Sequence, residues 1–373
     1  MKKYLLLILI AAVLASCTSR PSARQGEGTA VPFKYARLIH VEQRADGSRM
    51  VTVDNPWKPG KTLHRYVLVP YGVTVSRQTE RDATVVRVPL RRSIIFTSVH
   101  AALVCGLQAH EQIAGVADLK YMKVPYVQEG CRSGRLADCG DGMAPVIEKI
   151  IDADADAVLL SPFENSGGYG RLEKVDIPLI ECAEYMEPSP LARAEWMRFY
   201  GMLYGCEERA DSLFHAVDSC YETLRQLALQ TNERPSVLLD KQTGSVWYVP
   251  GGHSTIGHML QDAQCSYPWA DDDHSGSLAL PFESVLEQAG ESQVWLLRYD
   301  ADRSLTLSQL LAEQPGYSQL RPVRERNVYA CNVAKSMFYE ETPFRPDLLL
   351  RDFMQIFHPG TTADSLRYYH HVE

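Results

Sequence analysis

Beyond its first residues the chain has no apolar run long enough to span a bilayer, which takes about 20 residues as a helix. It has no block of basic residues, and its net charge is −8 over 373 residues. Both features argue against nucleic acid as a partner. It lacks a G-x-S-x-G elbow, an H-E-x-x-H pair and a phosphate-binding glycine loop, so the familiar hydrolase, metalloprotease and nucleotide-dependent chemistries have no anchor. Gly251-Gly252-His253-Ser254 reads as a turn with no triad order around it. None of the nine cysteines forms a C-x-x-C pair, which argues against a thiolate zinc site. Arg171, Arg193 and Arg298 are scattered rather than clustered, which argues against a highly anionic ligand. With these motifs missing, no enzyme chemistry, intrinsic cofactor or resident metal is expected.

What is present begins with an export signal. Lys2-Lys3 precede the apolar run Leu5–Leu14, and Leu14-Ala15-Ser16-Cys17 follows. A positive start, a short apolar segment and small residues before a cut site make residues 1–17 a secretory signal. The Leu-Ala-Ser-Cys end resembles the bacterial lipobox, which implies lipidation at Cys17 and an envelope protein anchored to the membrane by lipid. Residues 18–32 are polar and rich in Ser, Gly, Pro and Arg, and read as a flexible tether. No acidic run follows Cys17, which favours the periplasm-facing side. An exported compartment permits disulfides. Cys131 and Cys139 flank a short loop of Gly, Arg and Asp and are the candidate pair.

The mature chain is long enough for two domains. Residues 33–88 alternate in short strand-like runs separated by turn chemistry at Ala45-Asp46-Gly47-Ser48 and Asn55-Pro56-Trp57-Lys58-Pro59-Gly60. They read as an antiparallel β extension. From Ile94 onward short apolar runs alternate with helical spacing, the signature of an α/β lobe with a mostly parallel sheet flanked by helices. The pattern changes after Pro188-Ser189-Pro190. Leu191–Tyr204 and Glu207–Leu229 show helical spacing before the alternation resumes at Val237. The predicted organisation is an N-terminal lobe with its β extension (33–187), connector helices (188–233), and a C-terminal lobe with a closing helix (234–373). The two lobes share one detail: Pro145-Val146-Ile147-Glu148 and Pro281-Phe282-Glu283 both start helices ahead of an apolar strand.

This order of landmarks resembles the periplasmic solute-binding proteins of iron-chelate, haem and cobalamin ABC importers, the two-lobed class with a helical backbone. The resemblance runs from about Arg92 to Pro359. It is carried by Ile113-Ala114-Gly115-Val116, Val146–Ile150 before Asp156–Leu159, Pro190–Trp196, Gly251–Ser254 and Arg345-Pro346-Asp347-Leu348. It implies a monomer that captures an iron chelate (siderophore or haem) or a corrinoid and delivers it to an inner-membrane permease with its ATPase. It also implies that Glu148 and Glu283, one on each lobe, dock into permease arginines through charge-assisted bonds. The residues by themselves allow a plainer role, since a first-turn carboxylate gains about 0.3–1 kcal/mol from the helix dipole.

Ligand contacts in such a fold come from loops after strands, facing the gap between lobes. The candidates are Ser98, His100, Tyr169 and Tyr185 in the first lobe, and Trp247, Ser254, Trp269 and Tyr339 in the second. Aromatic faces suit a large, flat, conjugated ligand, and His or Tyr can ligate iron. The alternative is a bare zinc or manganese ion held by His100, His253 and His274, although no His-rich loop accompanies them.

Overall fold

The computed structural model describes residues 28–76, 81–164, 168–362 and 365–373. The signal, Cys17 and the tether up to residue 27 lie outside the described residues. Among the described residues no helix is long and apolar enough to cross a membrane.

Five strands, Thr29–Val31, Ile39–Gln43, Arg49–Asp54, Thr62–Pro70 and Thr84–Val88, form the N-terminal sheet in sequence order. Two expectations change here. Thr29–Val31 is the first strand rather than the end of the tether, paired antiparallel to Ile39–Gln43. Thr62–Pro70 and Thr84–Val88 pair in parallel, so the antiparallel extension carries one parallel pair at its end. A parallel neighbour needs a crossover of a dozen or so residues, and the segment between these strands is that long.

This sheet is fastened to the connector by two buried carboxylates. Glu195 accepts the backbone N–H groups of Lys34, Tyr35 and Ala36 at 2.7, 2.7 and 2.9 Å. Glu187 accepts those of Arg37 and Leu38 at 3.0 and 2.9 Å, and the Trp196 indole at 2.8 Å. Buried ionised groups persist where their lone pairs are filled in this way.

The first lobe is a five-stranded, wholly parallel sheet. Its spatial order is Leu179–Glu181, Ala157–Leu160, Ser93–Ile95, Ile113–Val116, Ala137–Asp138. Both faces are covered, as parallel sheets require. Ile94, Val158 and Leu160 pack with Ile147 and Ile150 on one side. Ile95, Val116 and Leu159 join the main core on the other. The chain runs outward from Ser93–Ile95 in one direction and then returns to fill its other flank. The order therefore reverses between Ser93–Ile95 and Ala157–Leu160.

The connector is three helices, Pro190–Glu195, Met197–Tyr204 and Glu207–Leu229, with the first two meeting at Trp196. Ser189 caps the first through its hydroxyl, with Pro190 in the first turn; both choices start helices. Gly205, at φ +67°, ends the second, a left-handed position that favours glycine. The 23-residue third helix is about 34 Å long. Ala210, Phe214, Val217, Tyr221, Leu224 and Ala228 form its buried stripe, at the spacing of three and four that defines one helix face.

The second lobe places Val237–Leu239, Val294–Tyr299 and Val328–Asn332 side by side in parallel, with Tyr369–His371 antiparallel at the edge. A three-stranded antiparallel sheet, Gln242–Thr243, Val246–Pro250 and Ser277–Leu280, lies beside it. The Pro346–Phe357 helix closes the chain against the connector. One continuous core runs from Tyr66 of the extension through Leu159 and Trp196 to Trp247 and Phe353.

Candidate ligand-binding site

In open α/β sheets ligands bind beyond the carboxyl ends of the strands, where the strand order reverses. The first lobe has a hollow of about 650 Å³ at that place. Phe96 and Thr97 follow the Ser93–Ile95 strand into its wall. Leu160, Ser161 and Phe163 enter from the neighbouring strand, and Asp118 follows Ile113–Val116. Met143 comes from a small hairpin, Gly140–Asp141 with Ala144–Pro145, and Tyr169 and Arg171 from the loop opposite. The wall is mostly apolar and aromatic. Its charged side chains are Asp118 and Arg171, so it favours no strongly charged ligand.

Tyr169 is the sequence candidate that reaches this hollow. Its phenol donates to Glu181 Oε1 at 2.7 Å. Burial, then that hydrogen bond to Glu181, raises its pKa above the usual phenol range. Tyr185 is half-buried and donates to the Pro162 carbonyl, which steadies the loop that carries Phe163. Ser98 sits where the lobes meet, in a helix that packs against the Phe338–Glu341 helix of the second lobe. Tyr339, in the short Phe338–Glu341 helix, remains 46% exposed beside the Arg298 guanidinium.

Four other candidates are structural. His100 is fully buried and hydrogen-bonds Glu184 at 2.9 Å, so no surface is left for a ligand. Trp247 lies on the inward side of an alternating strand, its indole donating to the Leu239 carbonyl at 2.9 Å and its ring among Phe282, Trp295 and Tyr317. Trp269 packs edge-on against Tyr267 and is 7% exposed. Ser254 caps the Thr255–Asp262 helix: its oxygen accepts from Gly257 N and its hydroxyl donates to the Gly251 carbonyl. Among the described residues the first lobe alone lines the hollow, and the lobe-two candidates do not reach it.

The expected Cys131–Cys139 disulfide is not formed; both thiols are free. Cys139 is buried in the smaller core, on one side of the sheet, while Cys131 packs against the main core on the other. Burial pushes the Cys139 thiol up to about 12, which removes the reactive thiolate.

The two first-turn glutamates occupy matching positions. Glu148 is the second residue of the Ile147–Asp152 helix and Glu283 the second of Phe282–Ala289. Both are exposed. They differ in company. Arg171, on the rim of the hollow, pairs with Glu148 at 3.1 Å. The Glu148 carboxyl is held below the usual range, first by a backbone N–H at the helix start and then by Arg171. Of the other arginines in view, Arg298 is held by both oxygens of Asp240, at 2.8 and 2.5 Å, and Arg193 lies in the connector. Among the described residues no group of three or more His, Cys, Asp or Glu converges as a metal site.

Comparison with known proteins fits this geometry. The family described as periplasmic binding protein matches residues 94–333, and the prokaryotic membrane lipoprotein lipid attachment site matches residues 1–18. The chain is thus a lipid-anchored envelope protein. An uncharacterised lipoprotein of Methanocaldococcus jannaschii is 22% identical, over 96% of this chain and 94% of its own. A periplasmic haem-binding protein from Pseudomonas aeruginosa shares the fold with a TM-score of 0.59 at 16% identity, covering 76% of this chain and 98% of its own. The periplasmic vitamin B12 binding protein of Vibrio cholerae does so with a TM-score of 0.53 at 12% identity, covering 72% and 97%.

Proposed function

Since the chain belongs to the periplasmic binding protein family, a family of non-enzymatic binding proteins, we propose that it is the ligand-binding component of an ABC importer. It captures an iron chelate (siderophore or haem) or a corrinoid and delivers it, as a monomer, to an inner-membrane permease and its ATPase. The observation that carries this reading is the aromatic hollow of about 650 Å³ at the strand-order reversal of the first lobe. Its volume lies within the range of small-molecule sites, roughly 300–1,000 Å³. Phe96, Phe163 and Tyr169 supply ring faces for a conjugated macrocycle, and the near-neutral wall suits a cargo of low charge. The haem and vitamin B12 binding proteins that share the fold support the same class.

The test is direct. A soluble form starting after Cys17 is mixed with haemin, several ferric siderophores and cyanocobalamin, and its visible absorption and thermal shift are followed. A saturable spectral change with a raised Tm for one of them is expected. No response to any of them, with zinc or manganese raising Tm instead, would overturn the reading.

Glu148 and Glu283 are the docking residues of this proposal. Reversing both to lysine is expected to abolish cargo uptake while leaving cargo affinity unchanged. Loss of cargo binding in that variant would assign the two carboxylates to the site instead.

A further inference from the structure

The N-terminal sheet precedes the family-matched residues 94–333, yet it reaches the wall of the hollow. Tyr169 stands between Gly168 and Gly170, both at positive φ (93° and 59°). Glycines restrain a backbone little; the Tyr169 N–H is held by Glu173 Oε1 at 2.5 Å, and the far end of the ring is held through its hydroxyl. The hydroxyl's partner is Glu181, at 2.7 Å. The second Glu181 oxygen bonds His64 Nδ1 at 2.9 Å, and His64 Nε2 bonds the Thr84 hydroxyl at 2.8 Å. His64 and Thr84 both belong to the extension, in Thr62–Pro70 and Thr84–Val88.

The extension grips Glu181 a second time. The Glu181 backbone N–H donates to the Tyr66 hydroxyl at 2.8 Å. The His64 ring stacks on Tyr66, 4.4 Å between centroids and 11° from parallel. The carboxylate is thus fixed at its backbone by Tyr66 and at its side chain by His64, with one oxygen left for Tyr169. Tyr169 also lines a second hollow of about 620 Å³, whose other walls include His64, Thr84 and Glu181. The ring therefore stands between the candidate site and the extension.

We infer that the N-terminal sheet is a working part of the ligand site. His64 is a positioning residue that acts through Glu181 to hold the Tyr169 ring at the hollow. This rests on the hollow being the cargo site. Because the phenol proton is engaged by Glu181, Tyr169 offers its ring to the cargo rather than a free hydroxyl donor. The extension thereby biases the site toward ligands with an apolar or conjugated face.

The variants are His64→Leu, which removes both ring-nitrogen bonds, His64→Gln, which keeps a donor, Tyr169→Phe, Tyr169→Ala and the His64→Leu/Tyr169→Phe pair. The first readout needs no cargo: amide exchange over Gly168–Leu172. His64→Leu is expected to speed it about tenfold, the scale of losing one hydrogen bond to a charged group, with strand exchange elsewhere in the extension unchanged. The second readout is affinity for haemin and cyanocobalamin. His64→Leu is expected to weaken the one that binds about tenfold, His64→Gln to recover most of it, and the pair to bind no more weakly than Tyr169→Phe alone. Unchanged exchange at Gly168–Leu172, or additive losses in the pair, overturns the inference. Faster exchange with unchanged affinity also overturns it. If Tyr169→Ala then binds normally too, the fault lies in placing the cargo site at this hollow rather than in the chain of bonds from His64.

Discussion

The two lobes start from the same plan and treat their aromatic residues in opposite ways. In the first, Phe96, Phe163 and Tyr169 stand at strand ends around an open hollow. In the second, Trp247, Trp269 and Trp295 are closed into the core. Topology accounts for half of this. The first sheet reverses its strand order between Ser93–Ile95 and Ala157–Leu160, while the parallel strands of the second run in sequence order and leave no reversal. Small elements account for the rest. Before the Glu148 helix the chain makes only a two-residue hairpin rich in glycine, with little to cover the strand ends. Before the Glu283 helix it makes a three-stranded sheet, whose Trp247 meets Phe282, Trp295 and Tyr317. A large ring stays open to the hollow where its own lobe offers it no core.

The comparison is broken most sharply by removing one ring from each side. Trp247→Ala deletes a fully buried side chain and is expected to cost about 3–5 kcal/mol of stability. Cargo affinity per folded molecule should hardly change. Denaturant melts and titration of the folded fraction separate the two. Phe163→Ala removes a ring that is 41% exposed. It is expected to leave the melt in place and weaken cargo binding about five- to tenfold, the scale of one aromatic contact. If Phe163→Ala unfolds the protein, or Trp247→Ala abolishes binding at full folding, the assignment of open and closed lobes is reversed.

These outcomes bear on how far the sequence could be read. Strand–helix alternation located the sheets of both lobes because apolar runs and helical spacing are local signals. The first-turn glutamates were legible for the same reason, and both helices begin within a residue or two of a proline. The parallel pair in the extension was not, because strand direction depends on the path of the chain between strands. Trp247 reads as a cleft residue because its partners are distant in sequence; it meets Trp295 and Tyr317, neither visible from its own strand. Phe96 and Phe163 are not among the sequence candidates, although a local signal marks them. Each lies within three residues of the end of an apolar run, Ile94-Ile95 and Val158-Leu159-Leu160. Ser98 and His100 lie just past the wall formed by Phe96 and Thr97, in the helix that Thr97 caps. The role of Glu181 could not be read at all, since it depends on His64, 117 residues away.

The smallest expected effect lies where the lobes meet, and it tests whether their seam is held by charge. Glu340 of the second lobe is 3% exposed, in a helix packed against the first lobe's leading helix, which Ser98 begins. Its Oε2 has no hydrogen-bond partner among the described residues. Burial raises its pKa above the ordinary 4.5; Lys123 and the Ser98 hydroxyl pull it down, and neighbouring Glu341 pushes it up. A carboxyl whose folded pKa is raised stabilises the fold fully below its unfolded value and loses that contribution as pH climbs through the folded one. Glu340→Gln carries no charge at any pH. The Tm of the variant minus that of the parent should therefore rise by about a degree or two between pH 4 and pH 7. A difference that stays flat or falls over that range would mean that the ionised carboxylate is welcome at the seam. Lys123 would then be its partner and the two lobes would be held together by that pair.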